Sequence, residues 1–179
     1  MKQPDVILVD KNDQPIGTAE KLEAHQKNWL HRAFSVLLYR HHASRLEVLL
    51  QQRQSTKYHC PNLWSNTCCS HPQPGENCLD SAIKRLDFEL NITFTQLSFV
   101  SKFYYQHTFS PDLHEHELDY VYVGYYDESL PMSNPDEVAQ LVWYDYSELL
   151  AAVEHMPQRF TPWLKAVLTL AKPNMESDK

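Results

Sequence analysis

The stretch Asn66-Thr67-Cys68-Cys69-Ser70-His71-Pro72-Gln73-Pro74-Gly75-Glu76, with the helical pattern that follows it to Leu90, constrains this chain more than any other part. Cys69 and His71 are two residues apart, so on an extended backbone both side chains leave the same face and can converge on one substrate or one metal. Pro72, Pro74 and Gly75 then turn the chain. Beyond the turn Leu79, Ala82, Ile83, Leu86 and Leu90 recur at helical spacing. Arg85 and Glu89, four apart, share one flank of that helix, a cation and a carboxylate suited to phosphate held through a divalent metal. Phe88 falls off the apolar stripe, which predicts a helix covered on both sides.

A chain of 179 residues can bury a proper core, and nothing in it requires more than one domain. We read a single domain over residues 1–172 and a flexible tail over 173–179. The 16 Lys+Arg against 23 Asp+Glu leave a net charge of −7, which argues against nucleic acid or an anionic membrane as the general partner. An anionic small ligand then needs a local basic cluster, and Arg53 and Lys57, in a polar loop ending at Pro61, supply one. No apolar run reaches membrane-spanning length and the first residues lack a signal-peptide core, so a cytoplasmic protein is expected. Cysteines 60, 68, 69 and 78 form no C-x-x-C pair and are expected to stay thiols there. With 3 glycines the chain has no phosphate-cradling glycine loop, so side chains and metal must hold any diphosphate.

In chain order, Val6–Val9 reads as a strand closed by a turn over 11–15, with a bend at Gly17, and a short helix from Glu20 carries Lys21 and His25. His31 opens a buried strand over Ala33–Tyr39; it can meet His25 only if the chain turns between them. Leu46–Leu50 reads as the hairpin partner. Strands over Phe99–His107 and from His114 through Val123 follow, the second carrying Glu115 and Glu117 on one face, where their repulsion calls for a cation or a proton. Val142–Asp145 reads as a last strand, residues 147–154 as a helix capped by Ser147, and 162–171 as a C-terminal helix with Pro162 in its first turn. The pattern predicts an α+β architecture, with mixed sheets packed around helices.

Glu20-Lys21 with His25, His31-Arg32-Ala33-Phe34-Ser35, Gln52-Arg53 with Lys57, the stretch from Trp64 to Pro72, Gly75-Glu76, Arg85 with Phe88-Glu89-Leu90, Glu115-His116-Glu117 and Phe160-Thr161-Pro162-Trp163 occur in this order over almost the whole chain. Together they resemble type I isopentenyl-diphosphate delta-isomerase, a member of the Nudix superfamily. The resemblance implies a Nudix-like fold and a reversible 1,3-allylic proton shift between isopentenyl and dimethylallyl diphosphate, a small-molecule substrate, in isoprenoid synthesis. It implies Cys69 and Glu117 as the proton-transfer pair on opposite faces of the substrate. Tyr105 and Trp163 match aromatic positions of the active site. It further implies a metal held by His25, His31, His71, Glu115 and Glu117, a Mg²⁺ bridging to diphosphate at Glu89, and Lys21, Arg53, Lys57 and Arg85 around the diphosphate. The first metal is open among Mn²⁺, Zn²⁺ and Mg²⁺, and the assembly between monomer and dimer.

Two competing functions follow from the same residues: a Nudix diphosphohydrolase, and a module in which metal only stabilises the fold. Lys84 and Phe88 stand where hydrolases carry an arginine and a glutamate, which speaks against metal-activated water.

Overall fold

The computed structural model describes residues 5–93 and 96–176. The long strand β3 (His31–His42) is its hub, because it is hydrogen-bonded along both edges and apolar on both faces. Around it lie β1 (Asp5–Val9), β2 (Pro15–Glu20), helix α1 (Lys21–Gln26), β4 (Arg45–Arg53), β5 (Trp64–Ser65), β6 (Cys68–Ser70) and helix α2 (Cys78–Leu90). The two longest strands, β7 (Ser98–Ser110) and β8 (Leu113–Tyr125), precede β9 (Val138–Asp145) and the helices α3 (Tyr146–His155) and α4 (Leu164–Glu176). One mixed nine-stranded sheet results, with the order β2-β1-β3-β4-β5 along one path, β6 and β8 on β3, β7 on β8 and β9 on β4. The α+β expectation holds.

Alternation along β3 divides the interior. Phe34, Val36 and Leu38 face α2, where Ala82, Leu86 and Leu90 are fully buried with Cys68. Leu37 and Tyr39 face the other way, into a cluster with Leu149, Leu164, Val167 and Leu168 of α3 and α4. His31, Ala33 and Ser35 share this second face and lie nearer the start of the strand. The site is built there, beside the core of α3 and α4 rather than beneath α2.

Several local expectations are corrected. Phe88 is 54% exposed, with the Arg85 guanidinium 5.0 Å from its ring, so α2 is covered on one side only. Residues 15–20 form β2, paired antiparallel with β1, where the sequence read as turn and bend. Helix α3 is capped by Asp145, whose carboxylate accepts from the amides of Ser147 and Glu148 at 2.9 and 3.0 Å, not by Ser147. Pro162 precedes α4, which runs through Pro173 to Glu176 because Met175 is drawn into the core. Residues 173–176, read from the sequence as part of a tail, are helical, and residues 177–179, like residues 1–4, lie outside the described residues.

Candidate active site

Two backbone registers assemble the site. Strand β8 runs parallel to β3 with His31 opposite Glu117, and β6 runs antiparallel along the other edge with Ser35 opposite Cys69. Cys69 and Glu117 therefore stand on strands either side of β3, two strand spacings apart across the sheet and offset by four residues along it, roughly 16 Å at the backbone, a gap their side chains must span toward each other. Their side chains line one cavity with Lys21, Arg53, His59 and Trp163. Alternation also separates the two adjacent thiols: Cys68 is fully buried against α2, whereas Cys69 lines the cavity.

The imidazoles converge at the mouth of α1. After α1 the chain turns at Asn28, in a left-handed conformation at φ 55°, and enters β3, which brings the rings of His25 and His31 to 4.8 Å. One ring nitrogen or carboxylate oxygen from each of His25, His31, His71 and Glu117 lies within 4.8 Å of the others, and Glu115 borders this group of four rather than belonging to it. His25 Nδ1 donates to the Lys21 carbonyl at 2.7 Å and His31 Nδ1 to the Trp29 carbonyl at 2.8 Å. Both Nε2 lone pairs are thereby turned inward, with His71 Nε2 3.2 Å from that of His31. His25 Nε2 and Glu115 Oε2, 3.3 Å apart, are buried and complete no hydrogen bond. Burial and neighbouring His25 push His31 down to about 4, and burial and Lys21 push His71 well below the usual range. Imidazole nitrogens turned inward beside buried carboxylates are the donor set a divalent metal takes.

The carboxyl groups diverge. Burial, then the nearby Glu115, drives Glu117 well above the ordinary carboxylate range. Burial acts the same way on Glu115, but the imidazoles of His25 and His59 outweigh it and hold Glu115 well below. Sequence reasoning missed His59 and Asp119. Asp119 continues the alternation of Glu115 and Glu117, lines the same cavity, and accepts from Ser35 Oγ at 2.7 Å; the two-residue period signals it. His59 comes from the loop between β4 and β5, where no local pattern marks it.

A second, wider cleft of about 450 Å³ adjoins the first and holds Lys57, Arg85, Glu89 and Glu137, with Lys21, Arg53 and Cys69 on the shared wall. Glu89 stands here, apart from the histidine cluster, its carboxylate accepting from Arg85 Nε at 2.6 Å and Gln51 Nε2 at 2.9 Å. Glu137, also missed because it sits in a patternless loop, pairs with Lys57 and, at 2.5 Å, with Arg85. Arg53 Nη1 reaches to 4.0 Å from Cys69 Sγ, and its guanidinium lies 5.8 Å from the Trp163 ring. The Trp163 indole donates to Asn66 Oδ1 at 3.0 Å, and Tyr105 meets it edge-on at 5.9 Å with a buried, unpartnered hydroxyl.

Glu76 anchors the turn after His71, where Gly75 at φ 87° takes a conformation other residues resist. Its carboxylate accepts from Lys84 at 2.5 Å and Ser81 at 2.6 Å, which hold it down to about 2. A depressed carboxylate contributes stability above its unfolded pKa, near 4.5, and loses it as pH falls toward 2. Glu76→Gln is expected to lower the melting temperature slightly at pH 7, the pair being solvent-facing and contributing under about 1 kcal/mol. Melts across that acid window should show the gap between parent and variant closing.

The NUDIX domain family matches residues 29–164. Isopentenyl-diphosphate Delta-isomerase 2 of Aromatoleum aromaticum is 43% identical over 163 residues, 91% of this chain and 84% of that protein. The chain belongs to the isopentenyl-diphosphate Delta-isomerase family. A second member, from Pectobacterium atrosepticum, is 42% identical over 96% of this chain and 92% of its own. Among solved structures, the DR0079 protein of Deinococcus radiodurans superposes with a TM-score of 0.75 at 18% identity, over 92% of this chain and 97% of its own; it shares the fold. Among the described residues, no helix of this isomerase-family chain is long and apolar enough to cross a membrane.

Proposed function

We propose that this isomerase interconverts isopentenyl and dimethylallyl diphosphate with Cys69 and Glu117 as its proton-transfer pair. The observation that carries the assignment is the placement of these two groups on strands flanking β3, facing one cavity. Protonation of the terminal methylene of isopentenyl diphosphate leaves a tertiary carbocation, and removal of a proton from the carbon beside the diphosphate-bearing one forms the allylic double bond. A group on each side of the substrate can perform these steps, and the reverse reaction exchanges donor and acceptor.

Without metal both groups are pushed toward their protonated forms, and turnover needs one of the pair protonated and the other free to accept a proton. Burial carries the Cys69 thiol up to about 11 despite the opposing pull of Arg53, and Glu117 is raised as described. Arg53 beside Sγ favours the thiolate left when Cys69 gives up its proton. His25, His31, His71, Glu115 and Glu117 would hold a divalent ion, Mn²⁺, Zn²⁺ or Mg²⁺, which when bound lowers the basicity of the Glu117 carboxylate and sharpens it as an acid. Glu89 would hold a Mg²⁺ shared with the diphosphate, whose charge Lys21, Arg53, Lys57 and Arg85 complement in the wider cleft.

A carbocation next to water would be trapped as an alcohol. Trp163 offers an aromatic face instead of a nucleophile, and Asn66 holds that face by its bond to the indole N–H, itself tied through its amide to Val36 and Cys68 carbonyls at 3.1 and 2.8 Å. The buried Tyr105 hydroxyl has its hydrogen bond free for the reacting groups. Trp163→Leu keeps an apolar side chain but removes the ring. It is expected to lower kcat by about tenfold or more, since a desolvated cation–π contact amounts to roughly 2 kcal/mol, with KM little changed; steady-state kinetics checks the split.

Proton NMR of isopentenyl diphosphate in deuterated water with Mg²⁺ tests the assignment. Deuterium in the allylic product, lost in Cys69→Ala and in Glu117→Gln, is the expected result. Phosphate release by the parent would replace the reading with the hydrolase, and neither product would leave a metal-stabilised module.

A further inference from the structure

His59 occupies a place that its loop was built to hold. Left-handed residues at Cys60 and Asn62 curl the segment between β4 and β5, and the Arg53 amide, carbonyl and guanidinium each fasten it: the amide donates to Leu63 O at 2.9 Å, Asn62 N donates to the carbonyl at 3.1 Å, and Nη2 donates to His59 O at 3.3 Å. The imidazole is 7% exposed and lies among Tyr58, Phe109 and Trp163, with ring centroids at 4.5, 5.7 and 6.2 Å. Its Nε2 is 2.7 Å from Glu115 Oε1. A carboxylate accepts, so His59 Nε2 is the donor.

That contact sorts the two oxygens of Glu115. Oε1 is occupied by His59, while Oε2, buried and without a hydrogen bond, stands 3.3 Å from the equally unpartnered Nε2 of His25. We propose that His59 is a positioning residue of this isomerase, fixing Glu115 so that one defined oxygen is presented to the ion held with His25, His31, His71 and Glu117. The inference rests on reading Glu115 as a ligand. Without the His59 donor, the carboxylate can rotate about its last bond and offer either oxygen or both, and the buried charge loses a hydrogen bond. Both effects weaken the ion's hold, and loss of such an outer partner typically costs about 10–100-fold in metal affinity.

Mn²⁺ binding to the metal-stripped protein, followed by electron paramagnetic resonance of the free ion, separates this role from simple packing. His59→Phe keeps an aromatic ring and removes the donor; His59→Gln can return an N–H near the position of Nε2. We expect His59→Phe to weaken Mn²⁺ binding by about 10–100-fold and His59→Gln to recover most of the loss. His59→Leu carries the same comparison should the phenylalanine variant not fold, circular dichroism of each metal-free variant serving as the control. Parent-like affinity in the donorless variants, or a glutamine variant as weak as they are, would overturn the proposal while leaving the metal site standing. A parent that binds no Mn²⁺ would overturn both.

Discussion

Cys69→Ala is expected to reduce kcat for allylic isomerisation by about 10³–10⁴-fold, the upper part of what a placed proton-transfer group contributes. The thiol faces the cavity across β3 from Glu117 and is the cysteine in its lining, whereas adjacent Cys68 is fully buried against α2, on the opposite face of the sheet. The same variant should leave the fold and the metal site intact, because Cys69 lies outside the cluster of His25, His31, His71 and Glu117. Its truncation removes one sulfur from a half-buried position, which amounts to no more than about 1 kcal/mol. Steady-state rates, metal analysis and melting of the same sample separate a chemical role from a structural one. Ordinary turnover in the alanine variant would sink the assignment of the thiol.

Glu117→Gln is expected to have the larger combined effect, because it removes a proton-transfer group and an anionic ligand in one step. Catalysis should fall by about 10⁴-fold or more, and divalent metal content should drop with it. Metal-free stability should move the other way. Burial, then Glu115, raises the Glu117 carboxyl well above its ordinary value, so the folded state retains a proton that the unfolded chain releases as pH rises past about 4.5. More protons bound in the folded state means that stability declines with rising pH across that window. Glutamine carries no such charge, so in chelator the variant should melt above the parent, by a margin that widens from pH 4.5 toward neutrality. Calorimetry at several pH values in chelator reads this directly. A variant that is less stable than the parent at neutral pH without metal would contradict the strained carboxyl described for the site.

His59→Phe and Glu117→Gln touch the same cluster from different distances, and their signatures differ. The first is expected to weaken metal binding while leaving Glu117 available for proton transfer. The second removes both functions.

Short-range spacing was legible in the chain before any tertiary contact was known. The two-residue period put Cys69 with His71, and Glu115 with Glu117, on shared faces, and it extends to Asp119 although that residue was passed over. The four-residue spacing of Arg85 and Glu89 placed them together on α2, where they meet at 2.6 Å. These relations depend only on the local geometry of a strand or a helix, so the order of residues suffices to state them. Local polarity was less informative at Phe88, because an aromatic off the apolar stripe can lie over a neighbouring guanidinium in solvent as readily as in a second core.

What joined these pieces was decided by pairing between distant segments. The parallel register that sets His31 against Glu117, and the antiparallel one that sets Ser35 against Cys69, depend on backbone hydrogen bonds and packing across long stretches of chain. A shift of one residue in either would turn a ligand or the thiol to the opposite face. His59 and Glu137 reach the site from loops, whose paths are set by the ends they connect and by left-handed turns such as those at Cys60 and Asn62, not by any repeating pattern of side chains. The chain's own order thus determined which residues share a face, and the sheet's long-range register determined which faces meet, since side-chain direction is a local property of the backbone and strand pairing is not.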